Sequence, residues 1–200
     1  MEKELALVPP GVDPEGLVTL GRAKALMLQR KFTEALAAVK QMPQDIFHAS
    51  TAPIPKGFLE GMLYTYLNDK QKAHSAFESA RGVAEQSLRE SPDSAARHGL
   101  LGQILAGLGQ KEAAIGEGRR AVELLPESRD AFDGPSATVL LAQIYAQTGE
   151  ADQAFQLLNH SLNTPNGITV PILKLDPVWD PLRKDPRFQA LIDKYGRSAI

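Results

Sequence analysis

Cysteine is absent from the 200 residues, and tryptophan occurs once. The first absence excludes disulfides, thiolate metal sites and cysteine nucleophiles together. Charge of one sign is also lacking: 22 Lys and Arg against 24 Asp and Glu leave a net charge of −2. A nucleic-acid footprint needs a basic stripe, so no nucleic-acid partner is expected. No apolar run approaches the roughly 18 residues needed to span a bilayer, so membrane insertion is not expected. The stretch Met1 to Ala6 lacks the basic start and apolar core of a signal peptide. His48, His74, His98 and His160 stand far apart, without the i,i+4 pairing of a zinc-binding helix, and no metal or cofactor is expected.

What is present is a spaced pattern in four copies. A small residue is followed three positions later by a larger apolar one, and twelve positions from the start by alanine. The copies are Ala23, Leu26, Ala35; Gly61, Tyr64, Ala73; Gly102, Leu105, Ala114; and Ala142, Tyr145, Ala154. A period of tens of residues with small residues at fixed offsets marks stacked helical hairpins. The pairs are expected over about 17–43, 57–91, 94–126 and 136–163. Pro43, Pro92 and Pro126 close second helices, and Gly109 and Gly149 sit where a left-handed C-cap conformation costs glycine little. Gly102 is expected to admit a close helix crossing. Gln44 to Lys56, with Pro53 and Pro55, and Ser128 to Ser136, with Gly134-Pro135, read as loops. Asp93 or Ser94 is expected to cap the third pair.

The C-terminal stretch breaks the pattern. Asp176-Pro177, Asp180-Pro181 and Asp185-Pro186 are three openings for an aspartate cap with proline in the first helical turn. Gly196 is placed to stop the last helix. Trp179, Leu182 and Phe188 are expected to cover the apolar edge that a terminal repeat exposes, because stacked repeats need a capping face. The alternative is a tryptophan that binds a partner.

Other motifs read more plainly. Gly107-Leu108-Gly109 and Gly116-Glu117-Gly118 complete no nucleotide fingerprint and read as turn and packing glycines. Asp130 and Asp133 read as caps or solvated charges, and Arg119-Arg120 as a charged helix face. Asn159-His160-Ser161 matches a glycosylation acceptor but lies in a helix.

The spacing, with Leu101-Gly102, Leu105, Ala114, Ala121 and Pro126, resembles the tetratricopeptide repeat family over about residues 17–163. The matched alanines lie 38, 41 and 40 apart, longer than the family's usual repeat of about 34. The resemblance implies an all-α, right-handed α-solenoid of about four helical hairpins over 1–168, with a short helical C-terminal cap over 169–200. The segment Leu175-Asp176-Pro177-Val178-Trp179-Asp180-Pro181-Leu182 through Phe188 is similar to the end of repeat regions in large bacterial signalling proteins. Those carry a Ser/Thr kinase, a nucleotide cyclase-like domain or a winged-helix domain ahead of the repeats. This likeness implies a sensory or scaffolding module of such a protein, in the bacterial cytoplasm rather than the periplasm.

The family geometry implies a concave groove lined by first helices. Its residues would be Lys24, Met27, Phe58, Met62, Tyr66, Gln103, Gln143 and Gln147. Leu20, Leu59, Ala96 and Leu100 stand where some family members clamp a peptide carboxylate, and none of them donates a hydrogen bond from its side chain. The expected function is therefore a non-catalytic module that binds a protein or peptide. The alternative is self-association, with the stack edges or Trp179 forming a homodimer of the parent protein. An enzyme or small-molecule binder is the least favoured class, since the periodicity predicts no deep polar pocket.

Overall fold

The computed structural model describes residues 16–47 and 52–196. They fall into two compact units, Met1–Glu90 and Ser91–Ile200. Both are built from paired α-helices stacked in the manner of a solenoid, and the chain finishes in a short helical segment.

The first unit holds two hairpins. Helix α1 (Leu17–Leu28) pairs with α2 (Phe32–Lys40), and α3 (Lys56–Tyr66) with α4 (Lys70–Glu90), while α2 packs on α3. Between the hairpins, β1 (Ile46–Phe47) runs antiparallel to β2 (Ile54–Pro55), Ile46 opposite Pro55 and Phe47 opposite Ile54. This segment was expected to be a loop. The pairing buries Phe47 completely, which gives the short ladder its apolar anchor. His48 lies outside the described residues, as do the N-terminal stretch read for targeting and the ends of the expected domain ranges.

The second unit starts with α5 (Ala95–Gly107) and α6 (Lys111–Leu124), followed by α7 (Gly134–Gln147) and α8 (Ala151–Ser161). Helices α5 and α7, the first of each pair, also pack against each other. Helix α7 begins earlier than expected, because Gly134-Pro135 forms its first turn instead of a loop. Proline suits that position, where its missing N–H has no helical partner to lose. Then come α9 (Val170–Leu175), the 3-10 helix Pro177–Leu182 and α10 (Pro186–Gly196).

One turn geometry recurs in all four hairpins. The second residue after each first helix is left-handed: Arg30 (φ 64°), Asn68 (φ 60°), Gly109 (φ 75°) and Gly149 (φ 81°). The next N–H reaches back five residues, as from Lys31 to Leu26 O, Asp69 to Tyr64 O, Gln110 to Leu105 O and Glu150 to Tyr145 O. This is the Schellman closure, which satisfies carbonyls that a helix end leaves open. Four residues further on, Ala35, Ala73, Ala114 and Ala154 donate to the carbonyls of Lys31, Asp69, Gln110 and Glu150. The patterned alanines thus occupy the first turn of each second helix, where they are at most 6% exposed. A larger side chain there would push the paired helices apart.

Glycine sets the closest crossings. A β-carbon on Gly102 would lie 2.7 Å from Ile144 Cδ1 and 3.0 Å from Ala114 O. Gly118, on α6, faces Leu141 and Ile144 of α7 equally closely. Gly102 and Gly118 are thus packing residues as expected, whereas a β-carbon on Gly116 would meet nothing within 4 Å, so that glycine is not one.

Candidate functional site

Residues 170–196 pack against the last hairpin. Trp179 is completely buried, and Leu182 and Phe188 are almost so, in one apolar cluster with Leu141, Tyr145, Phe155 and Leu158 of α7 and α8. The segment therefore closes the apolar edge of the last hairpin, and a partner-binding Trp179 is ruled out by its burial. Two of the three Asp-Pro steps cap as expected: Asp176 Oδ1 accepts from Val178 N at 3.1 Å, and Asp185 Oδ1 from Arg187 N at 2.9 Å. Asp180 instead accepts from Arg183 Nε, so Pro181 sits inside the 3-10 helix. Helix α10 spans Pro186–Gly196, and the residues that would show whether Gly196 stops it lie outside the described ones. Arg187 ties the segment to α8, donating to Asp152 at 2.6 Å while its guanidinium lies over Phe155.

Charged contacts fix the outer helices. Arg119, expected to be part of a solvated face, donates from Nε to Tyr145 OH at 3.1 Å and so joins α6 to α7. His98 places Nδ1 2.5 Å from Glu117 Oε2 and Nε2 2.9 Å from the carbonyl of Pro92. Ser94 stands at the N-cap of α5 without a side-chain bond, its carbonyl accepting from Arg97 and His98 instead. Burial alone would raise the Glu127 carboxyl. The hydroxyl of Thr138 at 2.7 Å and the imidazole of His160 at 2.8 Å outweigh it, holding Glu127 below the usual carboxylate range.

The eight expected groove residues divide between the units. In the first, Met27 and Phe58 are buried core residues, Phe58 against the ring of Phe77. Their side chains fill the interior and present little surface to a ligand. Lys24 is exposed, and Met62 is half-buried. Tyr66 is half-buried with its ring 5.1 Å from that of Phe32.

In the second unit, Gln103 and Gln143 are brought together. Gln103 Nε2, on α5, donates to Gln143 Oε1, on α7, at 2.5 Å. Both are half-buried, and Gln147 is exposed one turn beyond Gln143. The 40-residue offset between the two glutamines is the spacing of Ala114 and Ala154, so the repeat itself aligns them. Each amide has a second end, an acceptor on Gln103 and a donor pair on Gln143. Sequence reading missed the amide-to-amide bond, although the equal offset was available to suggest it. It also missed Phe132, which stands 71% exposed on the loop before α7 and carries no periodic signal.

The helical hairpins and their small-residue crossings have a counterpart among known families. Residues 58–129 match the family model for the tetratricopeptide repeat. A tetratricopeptide-repeat domain is present over this part of the chain. The match takes in α4, α5, α6 and nearly all of α3. No curated protein matches the chain. The tetratricopeptide-repeat fold is generally associated with protein–protein interaction. Among the described residues, no group of three or more His, Cys, Asp and Glu is placed to hold a metal ion. No helix among them is long and apolar enough to cross a membrane.

Proposed function

We propose that the chain is a non-catalytic interaction module that holds a protein or peptide partner on the first-helix face of its second unit. The observation that carries this is the Gln103–Gln143 amide pair, set across two adjacent first helices with Gln147 beyond it. Glutamine amides suit a polypeptide, because each offers both an acceptor and a donor to a backbone that presents the same two groups. The bond between them orients both side chains before binding, which lowers the ordering cost of association. Stacked repeats commonly recruit partners along such extended faces.

The likeness of Leu175 to Phe188 to the ends of bacterial repeat regions supports a finer reading. In it the module is the sensory or scaffolding part of a larger cytoplasmic signalling protein, with output domains elsewhere in that protein. The test is crosslinking capture from a bacterial lysate by the parent chain and by a Gln103→Ala, Gln147→Ala variant. A partner captured by the parent and lost by the variant is the expected result. Equal capture by both would remove these residues from the binding site.

A further inference from the structure

Residues 162–169 join α8 to α9, and two geometric demands fall on neighbouring positions there. Gly167 donates its N–H to the carbonyl of Thr164 at 3.0 Å, closing a turn with Pro165 and Asn166 at its centre. Asn166 holds φ 60°, the left-handed region that asparagine enters more readily than most residues with a side chain. A β-carbon on Gly167 would collide with the carbonyl oxygen of Ser161, so the position after Asn166 must lack a side chain. The turn thus selects asparagine followed by glycine.

The pair that the geometry selects is also chemically labile. The amide carbon of asparagine comes within reach of the next residue's backbone nitrogen, and a glycine there puts no side chain in the way. The chain's asparagines are Asn68, Asn159, Asn163 and Asn166, and of these Asn166 alone precedes glycine. Asn159 Oδ1 accepts from Lys194 at 3.0 Å and from Tyr195 at 2.9 Å. Asn163 Nδ2 donates to Tyr195 OH at 2.7 Å. Asn166 is exposed, and its side chain makes no hydrogen bond among the described residues. Its amide can therefore turn toward the backbone, and water reaches it.

We infer that Asn166 is a site of spontaneous deamidation, and that its product loosens the terminal segment. When the turn opens, base removes the Gly167 N–H proton and the nitrogen bonds to Asn166 Cγ. The Cγ–Nδ2 bond then breaks, Nδ2 takes a proton from water and leaves as ammonia, and a succinimide ring remains. Water opens that ring at either carbonyl. Opening at Cγ gives aspartate in the ordinary chain. Opening at the backbone carbonyl gives isoaspartate, whose main chain runs through Cβ and Cγ and is longer by one carbon. Ile168 lies just beyond, buried in the cluster that holds Trp179, and Thr169 stands at the N-cap of α9. A lengthened link displaces both from α8. The inference is independent of the glutamine face and stands or falls separately from it.

The experiment ages the full 200-residue chain in mildly alkaline buffer below its melting temperature, beside an N166G variant. Glycine accepts the left-handed conformation, so N166G keeps the turn and removes the reactive amide; unchanged melting of the fresh variant checks the fold. Peptide mass spectrometry reads amide-to-acid conversion at each asparagine, and an isoaspartyl methyltransferase scores isoaspartate. Asn166 is expected to convert faster than Asn68, Asn159 and Asn163, the more so as pH rises, with isoaspartate among the products. The aged parent should melt below the fresh parent, while aged N166G melts as when fresh. Asn166 left intact in the folded chain but converted in a denatured control would show that the turn guards it, and would overturn the proposal. So would conversion of Asn166 no faster than that of the other asparagines. A parent converted at Asn166 that melts like the fresh chain, or an aged N166G that loses as much as the parent, would overturn it too.

Discussion

A β-carbon at Gly102 should destabilise the second unit, whereas the same carbon at Gly116 should stabilise it. Both glycines are in the α5–α6 hairpin, so the comparison holds the surroundings nearly constant. Replacing glycine by alanine inside a helix gains about 0.5–1 kcal/mol through restricted backbone freedom. At Gly116 nothing lies within 4 Å of the new atom, so that gain should appear undiminished. At Gly102 the new atom would sit 2.7 Å from Ile144 Cδ1, 3.0 Å from Ala114 O and 3.2 Å from Gly118 N. Ile144 is completely buried, and two of the three neighbours are backbone, so the relief must come from separating helices. Overpacking of this kind costs about 1–3 kcal/mol. The net loss is about 0–2.5 kcal/mol, and at this chain length each kcal/mol moves Tm by about 2–4 °C. Thermal melts of G102A and G116A beside the parent are the assay. Shifts of the same sign in both variants, or a G102A chain more stable than the parent, would refute the close crossing.

The remaining expectations concern the turns, the terminal segment and pH. Gly82→Ala should gain about 0.5–1 kcal/mol in a denaturant titration, since Gly82 is exposed within α4 with nothing near its absent side chain. Arg30→Gly should also stabilise, by up to about 1 kcal/mol, because Arg30 holds a left-handed conformation that costs an L-residue about 1–2 kcal/mol, less glycine's entropic penalty. Trp179→Ala should cost about 3–5 kcal/mol, read as a lowered denaturation midpoint; an unchanged midpoint would deny Trp179 its place in the core. Glu127 has a lowered pKa in the fold, so its contribution is present at neutral pH and is lost as pH falls through the folded value. Glu127→Gln should therefore lower Tm at about pH 7 and progressively less toward about pH 3; a pH-independent difference would contradict that assignment.

The hairpins were legible because their pattern records unavoidable contacts. Ala35, Ala73, Ala114 and Ala154 are small because each lies at a helix crossing, and Gly109 and Gly149 are glycine at turns that need positive φ. The same turn at Arg30 and Asn68 left no such mark, since the closure tolerates a non-glycine residue at a modest cost. The β1–β2 pair was hidden by its length of two residues per strand, too short for any alternation to register. Helix α7 started early because Pro135, taken as a loop signal, serves equally well in a first turn.

The candidate site was less legible than the fold. Met27 on α1 and Phe58 on α3 each stand on a helix that also has exposed positions, and a small error in helix rotation turns core into surface. Gln103 and Gln143 depend less on such rotation, because an equal offset from the repeat alanines places them side by side whichever way the face points. Phe132 belongs to a loop, where sequence periodicity has nothing to report. Its exposure follows from the Asp130 turn, a three-dimensional feature.

Hydrogen exchange of the chain bound to its captured partner tests the interaction-module account most directly. Protection on binding should concentrate in Ala95–Gly107 and Gly134–Gln147, the first helices that carry Gln103, Gln143 and Gln147. Protection confined to the second helices Lys111–Leu124 and Ala151–Ser161, with those two segments unchanged, would contradict it.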